Sequence, residues 1–198
     1  MGKSTVLSLF EKCGAVAIDT DEIVESLLKE KDVLEKIKGL LGEGVFSEDR
    51  SLDTKKVAAV VFRIDSLRRS LELILHPLVF ERMNVLLDGL EDKNKVVLVE
   101  IPLLFERGYE GRFTKTITVY TEEEAALRRL ERQGISREEA LLRLKSQLPI
   151  EEKIRRSDSS IDNNGTVEET MSQVETICKE LLKEAKKGGS STGDRKLT

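Results

Sequence analysis

Residues 95–104 read KVVLVEIPLL, a near-continuous apolar run. Runs of this kind are buried on both faces of a parallel sheet, because such sheets carry helices on each side. A strand over 95–104 is therefore expected, with Glu100 near its carboxyl end. A second run, KTITVYT at 115–121, reads the same way. Upstream, AVAID at 15–19 is short, apolar and stops at acid, which gives a buried strand whose carboxyl end carries Asp19 and Asp21.

Around these strands the pattern is helical. Residues 4–12 place Val6, Leu9 and Phe10 on one side and stop at Gly14. Helix is expected over 22–41 with a break near Gly39, Gly42 and Gly44, then a turn over 47–53 and a helix capped by Asp53. Ser66 is expected to cap a helix through Leu75. Pro77 should break it, since the residue before proline is pushed out of helical geometry, and should open the next helix, to about Leu90. Three capping boxes are expected, Thr121 with Glu124, Ser136 with Glu139, and Thr166 with Glu169. The last helix shows Val167, Met171, Val174, Ile177, Leu181 and Leu182 on one stripe, ordinary core packing. Alternating strands and helices give an α/β parallel sheet flanked by helices. Ligands collect at the carboxyl ends of strands in such sheets.

The chain has 198 residues, enough for one domain with an inserted lid. It contains no apolar stretch of the roughly 20 residues a membrane span needs, and no signal-peptide pattern, so a cytoplasmic protein without a membrane partner is expected. A net charge of −4 argues against broad nucleic-acid binding; a phosphate ligand must then be held by a few local cations. Cys13 and Cys178 lack metal-ligand spacing and read as buried free thiols. The tail after Lys187, GGSSTGDRKLT, is small and polar and is expected to be disordered.

Three constellations carry chemistry. The chain opens MGKST, the end of the phosphate-binding pattern G-x-x-x-x-G-K-[ST]. In that pattern glycine admits phosphate to backbone N–H groups, lysine reaches the β and γ phosphates and the hydroxyl binds Mg²⁺. The four residues alone also fit a solvated amino terminus. Asp19-Thr20-Asp21 sets two acids at a strand end, which suits phosphoryl transfer to a hydroxyl and equally suits capping of the helix near Glu22. Arg128, Arg129, Arg132, Arg137 and Arg143 form a cationic run over two helices joined by Gly134. That run reads either as a solvated face paired with Glu131 and Glu139 or as a lid over phosphates. His76, the lone histidine, reads by itself as a helix or core residue.

Together these pieces resemble the dephospho-CoA kinase family from Gly2 to about Leu182. The matching text is GKST, IDTDEI at 18–23, SLD and VF within 51–62, LRRSLELILHP at 67–77, VEIPLLFE at 99–106, LRRLERQGISREEALLRLKSQ at 127–147 and IDNNGT at 161–166. The resemblance implies a five-stranded parallel sheet of the P-loop NTPase kind, with a helical substrate region and a helical lid. It implies a single kinase domain over 1–187, with core segments 1–21, 95–121 and 158–187, a substrate-binding region 22–92 and a lid 122–157. ATP and Mg²⁺ are the implied cofactors, dephospho-CoA the substrate, and a monomer or weak homo-oligomer the implied state.

Carried over by resemblance, Gly2, Lys3, Ser4 and Thr5 hold the nucleotide, with Lys3 on the β and γ phosphates. Ser4 and Asp19 serve the metal. Asp21 is the base for the ribose 3′-hydroxyl, and Arg132 and Arg143 act from the lid. Asn163 and Asn164 lie near adenine. His76, Pro77, Pro102, Leu103, Leu104 and Phe105 line the coenzyme A precursor site. Gln133 and Glu100 each stand where the family commonly has aspartate.

Members of that family begin with an apolar strand and a glycine-rich turn ahead of G-K-S-T, where this chain has Met1. Five or six buried apolar residues at roughly 1.5–3 kcal/mol each make on the order of 10 kcal/mol, against a domain stability of about 5–15 kcal/mol. The chain as written is therefore expected to be a truncated form, one with a mis-assigned start, or one with little ATP turnover. Alternatives are a non-catalytic remnant that binds a coenzyme A precursor, or another small-molecule or nucleotide kinase.

Overall fold

The computed structural model describes residues 2–61, 63–92 and 95–188. The chain divides into two compact units, Met1–Asp19 with Asp92–Thr198, and Thr20–Glu91.

The first unit opens with helix α1 (Lys3–Lys12), which buries Val6, Leu9 and Phe10. Gly14 ends it at φ 93°, a left-handed conformation that costs glycine nothing. The Gly14 N–H donates to the Glu11 carbonyl at 2.9 Å and the Ala15 N–H to the Phe10 carbonyl at 3.2 Å. This pair of bonds satisfies carbonyls that the helix end leaves unpaired. Strand β1 (Val16–Asp19) follows and pairs in parallel with β2 (Val97–Glu100). Strand β3 (Ile117–Tyr120) pairs in parallel with β4 (Ser159–Asp162). Between β3 and β4 lie the helices α6 (Glu123–Arg132), α7 (Arg137–Lys145) and α8 (Ile150–Arg156), and α9 (Val167–Gly188) closes the unit. Its core joins Phe10, Leu9, Val6, Ala15, Ile161, Val174 and Cys178, with Leu98, Val119 and Met171 packed against them. The Cys178 thiol is pushed up to about 11, chiefly by burial and secondarily by its neighbour Cys13. Both cysteines are free; Cys178 is buried and Cys13 half-buried.

The second unit is helical: α2 (Thr20–Leu27), α3 (Lys31–Leu41), α4 (Thr54–Val61) and α5 (Asp65–Asp88). Val33, Ile37, Val45 and Leu75 form its core. Asp53 caps α4 as expected, its Oδ1 accepting from the N–H groups of Lys55 at 3.0 Å and Lys56 at 3.1 Å.

The α/β class with parallel strands flanked by helices is the one the sequence predicts, with several local differences. Instead of five strands in one sheet, the described residues hold four, as two parallel pairs. The run at 95–104 gives a strand only over Val97–Glu100, because Pro102 has no N–H to donate and Leu103 turns the chain at φ 58°. The break in 22–41 falls between Leu27 and Lys31, and α3 carries Gly39 inside it. Helix α5 starts at Asp65 with Ile64 ahead of it, so Ser66 is no cap, and it runs through Pro77 without ending. Pro77 and Leu73, whose carbonyl the proline leaves without its helical donor, both face solvent, while Leu75, Val79 and Met83 are buried on the opposite side. Water can serve the orphaned carbonyl, and burial of the inner face holds the helix together.

Of the capping boxes, Thr166 and Glu169 exchange both bonds, at 3.2 and 2.7 Å. Ser136 accepts from the Glu139 N–H at 3.2 Å, but the Glu139 carboxylate turns to Arg143. Thr121 caps nothing; its hydroxyl donates to Asn164 Oδ1 at 2.8 Å. Val167 is exposed and lies off the α9 core stripe. The tail from 189 onward lies outside the described residues.

Candidate active site

In the first unit, the α1 amino end and the carboxyl ends of β1 and β2 bring charged groups together. The parallel register sets Asp19 opposite Glu100. Lys3 Nζ lies 3.3 Å from Glu100 Oε1, and the Glu100 side chain is only 8% exposed. A cation from the first helical turn thus pairs with the carboxylate of Glu100, the residue that the register sets opposite Asp19. Ser4 and Thr5 stand exposed on that same first turn, where helix N–H groups have no intrahelical partner and the dipole is positive. Among the described residues no group of three or more His, Cys, Asp or Glu is placed to hold a metal. Mg²⁺ beside a phosphate ester needs only one or two carboxylates and keeps several waters, so the Ser4 hydroxyl and the Asp19 carboxylate fit it chemically.

Gly2 precedes α1 at φ 77°, and a Cβ there would fall 2.3 Å from Asn163 Nδ2. Only glycine lets the loop after β4 approach so closely. Asn163 is buried, with its Oδ1 accepting from the Thr170 hydroxyl at 3.0 Å and its backbone carbonyl accepting from Arg129 Nη2 at 3.0 Å. Asn164 caps α6 from a distance: its Oδ1 accepts from the Glu122 N–H at 2.7 Å as well as from Thr121.

After β2, Leu103 adopts a left-handed conformation that a bulky residue seldom takes. Such backbone strain persists where surrounding contacts hold it, and it clusters at functional segments. The segment is indeed held. Glu106 Oε1 accepts from the Leu148 N–H at 2.8 Å and from Lys153 Nζ at 2.7 Å, and Lys153 also donates to Gln147 Oε1 at 2.8 Å. Burial raises the Glu106 carboxyl, but the hydrogen bonds from Lys153 and Leu148 outweigh it and leave the group below the usual carboxylate range. Arg156 donates to the Phe105 carbonyl at 3.1 Å and sits 5.3 Å above the Phe105 ring, and it is ion-paired with Glu110. Residues 102–110 are thereby tied to the end of α7 and to α8.

The arginine run divides. Arg137 bonds Glu124 at 2.9 Å, Arg143 bonds Glu139 at 2.6 Å, and Arg128 Nε reaches the Glu124 carbonyl at 3.4 Å. Arg132 is exposed in the last turn of α6. Arg129 alone of the five turns toward Gly2 and Asn163, which nothing in the repetitive run distinguishes. Glu106 and Lys153 are likewise indistinct in the sequence, since each looks like one more charge on a polar helix or loop.

Gly2, Lys3, Ser4, Thr5, Asp19, Pro102, Leu103, Leu104, Phe105, Arg132, Arg143, Asn163 and Asn164 all belong to the first unit, and Asp21, His76 and Pro77 to the second. Asp21 is exposed in the first turn of α2, and His76 and Pro77 are consecutive in α5.

Comparison with known proteins bears on this arrangement. A family model described as CoaE, dephospho-CoA kinase, matches residues 1–169. The Geobacillus kaustophilus dephospho-CoA kinase is 37% identical over 182 residues, covering 90% of each chain. That of Aquifex aeolicus is 34% identical over 184 residues, covering 92% of this chain and 93% of its own. Among solved structures, the Thermus thermophilus protein TT1252 superposes with a TM-score of 0.78 at 36% identity, covering 92% of this chain and 91% of its own. A dephospho-CoA kinase from Campylobacter jejuni superposes at 0.66 and 28% identity, covering 92% of both.

Proposed function

The chain belongs to the dephospho-CoA kinase family, and on that premise we propose how its own residues carry out the ATP-dependent phosphorylation of dephospho-CoA to coenzyme A. The ribose 3′-oxygen of dephospho-CoA attacks the γ-phosphorus of ATP. The bond from that phosphorus to the β–γ bridging oxygen breaks, the hydroxyl proton passes to the Asp21 carboxylate, and ADP leaves. Lys3 and the free N–H groups at the start of α1 stabilise charge on the phosphate oxygens. Arg132 and Arg143 act from the lid, and Asn163 and Asn164 stand beside adenine. His76, Pro77 and residues 102–105 receive the coenzyme A precursor.

Ser4 and Asp19 would hold Mg²⁺, which when bound would neutralise phosphate charge. In the absence of nucleotide, Glu100 keeps Lys3 at the strand edge, so its ammonium is in place before ATP arrives. One observation carries this reading: Lys3 pairs with Glu100, and the strand register sets Asp19 opposite Glu100, at the carboxyl ends of β1 and β2, where α/β sheets bind ligands. The same reading makes the protein a cytoplasmic monomer or weak homo-oligomer. Among the described residues no helix is long and apolar enough to cross a membrane.

A coupled ADP-release assay tests it. ADP should form only when dephospho-CoA is supplied, with coenzyme A as the product. Asp21→Asn should cut turnover by a factor on the order of 10²–10⁴, the usual size of a lost general base, while ATP binding persists. Normal turnover in that variant would remove Asp21 from the role.

A further inference from the structure

Glu106 follows the left-handed Leu103, and one of its oxygens gathers two distant donors. Oε1 accepts from the N–H of Leu148, in the linker between α7 and α8, at 2.8 Å and from Nζ of Lys153, within α8, at 2.7 Å. Oε2 is buried with no hydrogen-bond partner among the described residues, so both ties run through a single atom. Lys153 also holds the linker, donating to Gln147 Oε1 at 2.8 Å. One turn further along α8, Arg156 donates to the Phe105 carbonyl at 3.1 Å and pairs with Glu110.

Helix α8 is itself fixed to β3. The Lys153 carbonyl accepts from the buried Thr118 hydroxyl at 3.3 Å. Just past the helix, Asp158 Oδ2 accepts from the Thr116 N–H at 2.8 Å and from the Thr116 hydroxyl at 3.0 Å. The segment 102–110 therefore leaves β2, in one strand pair, and takes its position from β3, in the other. Stability alone does not call for a charged pair at this junction. The cost of removing both charges from water offsets their attraction, and neutral side chains of similar volume commonly serve as well. What the pair adds is direction, since an ammonium and a carboxylate meet along their hydrogen bonds and apolar groups do not.

We infer that Glu106 and Lys153 are positioning residues for the coenzyme A precursor, setting residues 102–105 against the linker at the base of the lid. The inference rests on the reading that 102–105 receive that precursor, and it gives the strained turn at Leu103 its support. Neither side chain need touch the substrate; the pair acts through the loop it holds.

Calorimetric titration of the full chain with dephospho-CoA and with ATP tests this, alongside urea denaturation. Glu106→Gln/Lys153→Met removes both charges at similar volume, so its denaturation midpoint should stay close to the parent's. Its affinity for dephospho-CoA should nonetheless fall by about 10-fold to 100-fold, the size of effect a displaced positioning contact produces, with ATP affinity unchanged. A stable double variant that binds dephospho-CoA as the parent does would overturn the assignment, as would an equal loss for both ligands. If the double variant fails to fold, Lys153→Arg, which keeps the charge and alters the geometry, decides by the same ratio of losses. Leu104→Ala separates this inference from the reading beneath it. Should Leu104→Ala bind dephospho-CoA like the parent, or the parent bind none, the loop reading falls and the pair's role with it; a loss in Leu104→Ala but none in the double variant refutes the pair's role alone.

Discussion

Lys3 and Glu100 show how much depends on single side chains. Lys3→Ala should weaken ATP affinity and lower turnover together in the coupled assay, because the cation is needed both when the phosphates bind and when charge moves toward the leaving group; unchanged kinetics would remove the α1 end from the mechanism. Asp53 offers a test free of catalysis. Its carboxylate accepts from two backbone donors of α4, so Asp53→Ala should cost about 0.5–2 kcal/mol of stability in urea denaturation. Local spacing is enough to read that cap, and enough to read the Thr166–Glu169 box. It fails at Thr121, because the competing acceptor is Asn164, 43 residues along the chain. Side chains whose partners are near in sequence are legible; those claimed by distant segments are not.

At the level of elements, α5 and the loop after β2 carry the clearest consequences. A proline inside a helix costs about 3 kcal/mol, and proline stiffens the unfolded chain by about 1 kcal/mol in the other direction. Pro77→Ala should therefore stabilise the protein by about 2 kcal/mol, read from the denaturation midpoint. Proline marks a helix end by default, and only the buried row Leu75, Val79 and Met83 on the far face explains why this helix continues.

The tie between Glu106 and Lys153 makes a second prediction. Both side chains are about nine-tenths buried, so Glu106→Ala strands a buried ammonium and should cost about 3–5 kcal/mol. Its pH dependence follows from the depressed Glu106 carboxyl. The unfolded chain holds its proton at higher pH than the folded one, so the stabilisation is complete above about pH 4.3, the ordinary glutamate value, and fades as pH falls through the folded value. Glu106→Gln should flatten that part of the stability-versus-pH curve; an unchanged slope would show that Glu106 does not titrate there.

Across the whole molecule, the parallel α/β class and the placing of lysine and acid at strand ends were legible in KVVLVEIPLL, AVAID and GKST. The division of strands into two pairs was not, since periodicity locates strands and says nothing of which ones join. The two units differ in how they close. Thr20–Glu91 is one continuous stretch, whereas the other unit must bring Met1–Asp19 back against chain that resumes at Asp92. Local contacts form faster than distant ones, so pulse-labelled hydrogen exchange during refolding should protect Ile37 and Met83 before Ile18 and Ile161. Simultaneous protection would indicate a single folding unit.

The pairing of β1 with β2 and of β3 with β4, joined by no third strand among the described residues, has a colloidal consequence. A two-stranded ribbon offers main-chain donors and acceptors along its outer margin, and a neighbouring molecule can stitch itself on there. Handling at high concentration is where this should show: light scattering of the purified protein should grow with concentration and storage time, accompanied by intermolecular β signal in the infrared.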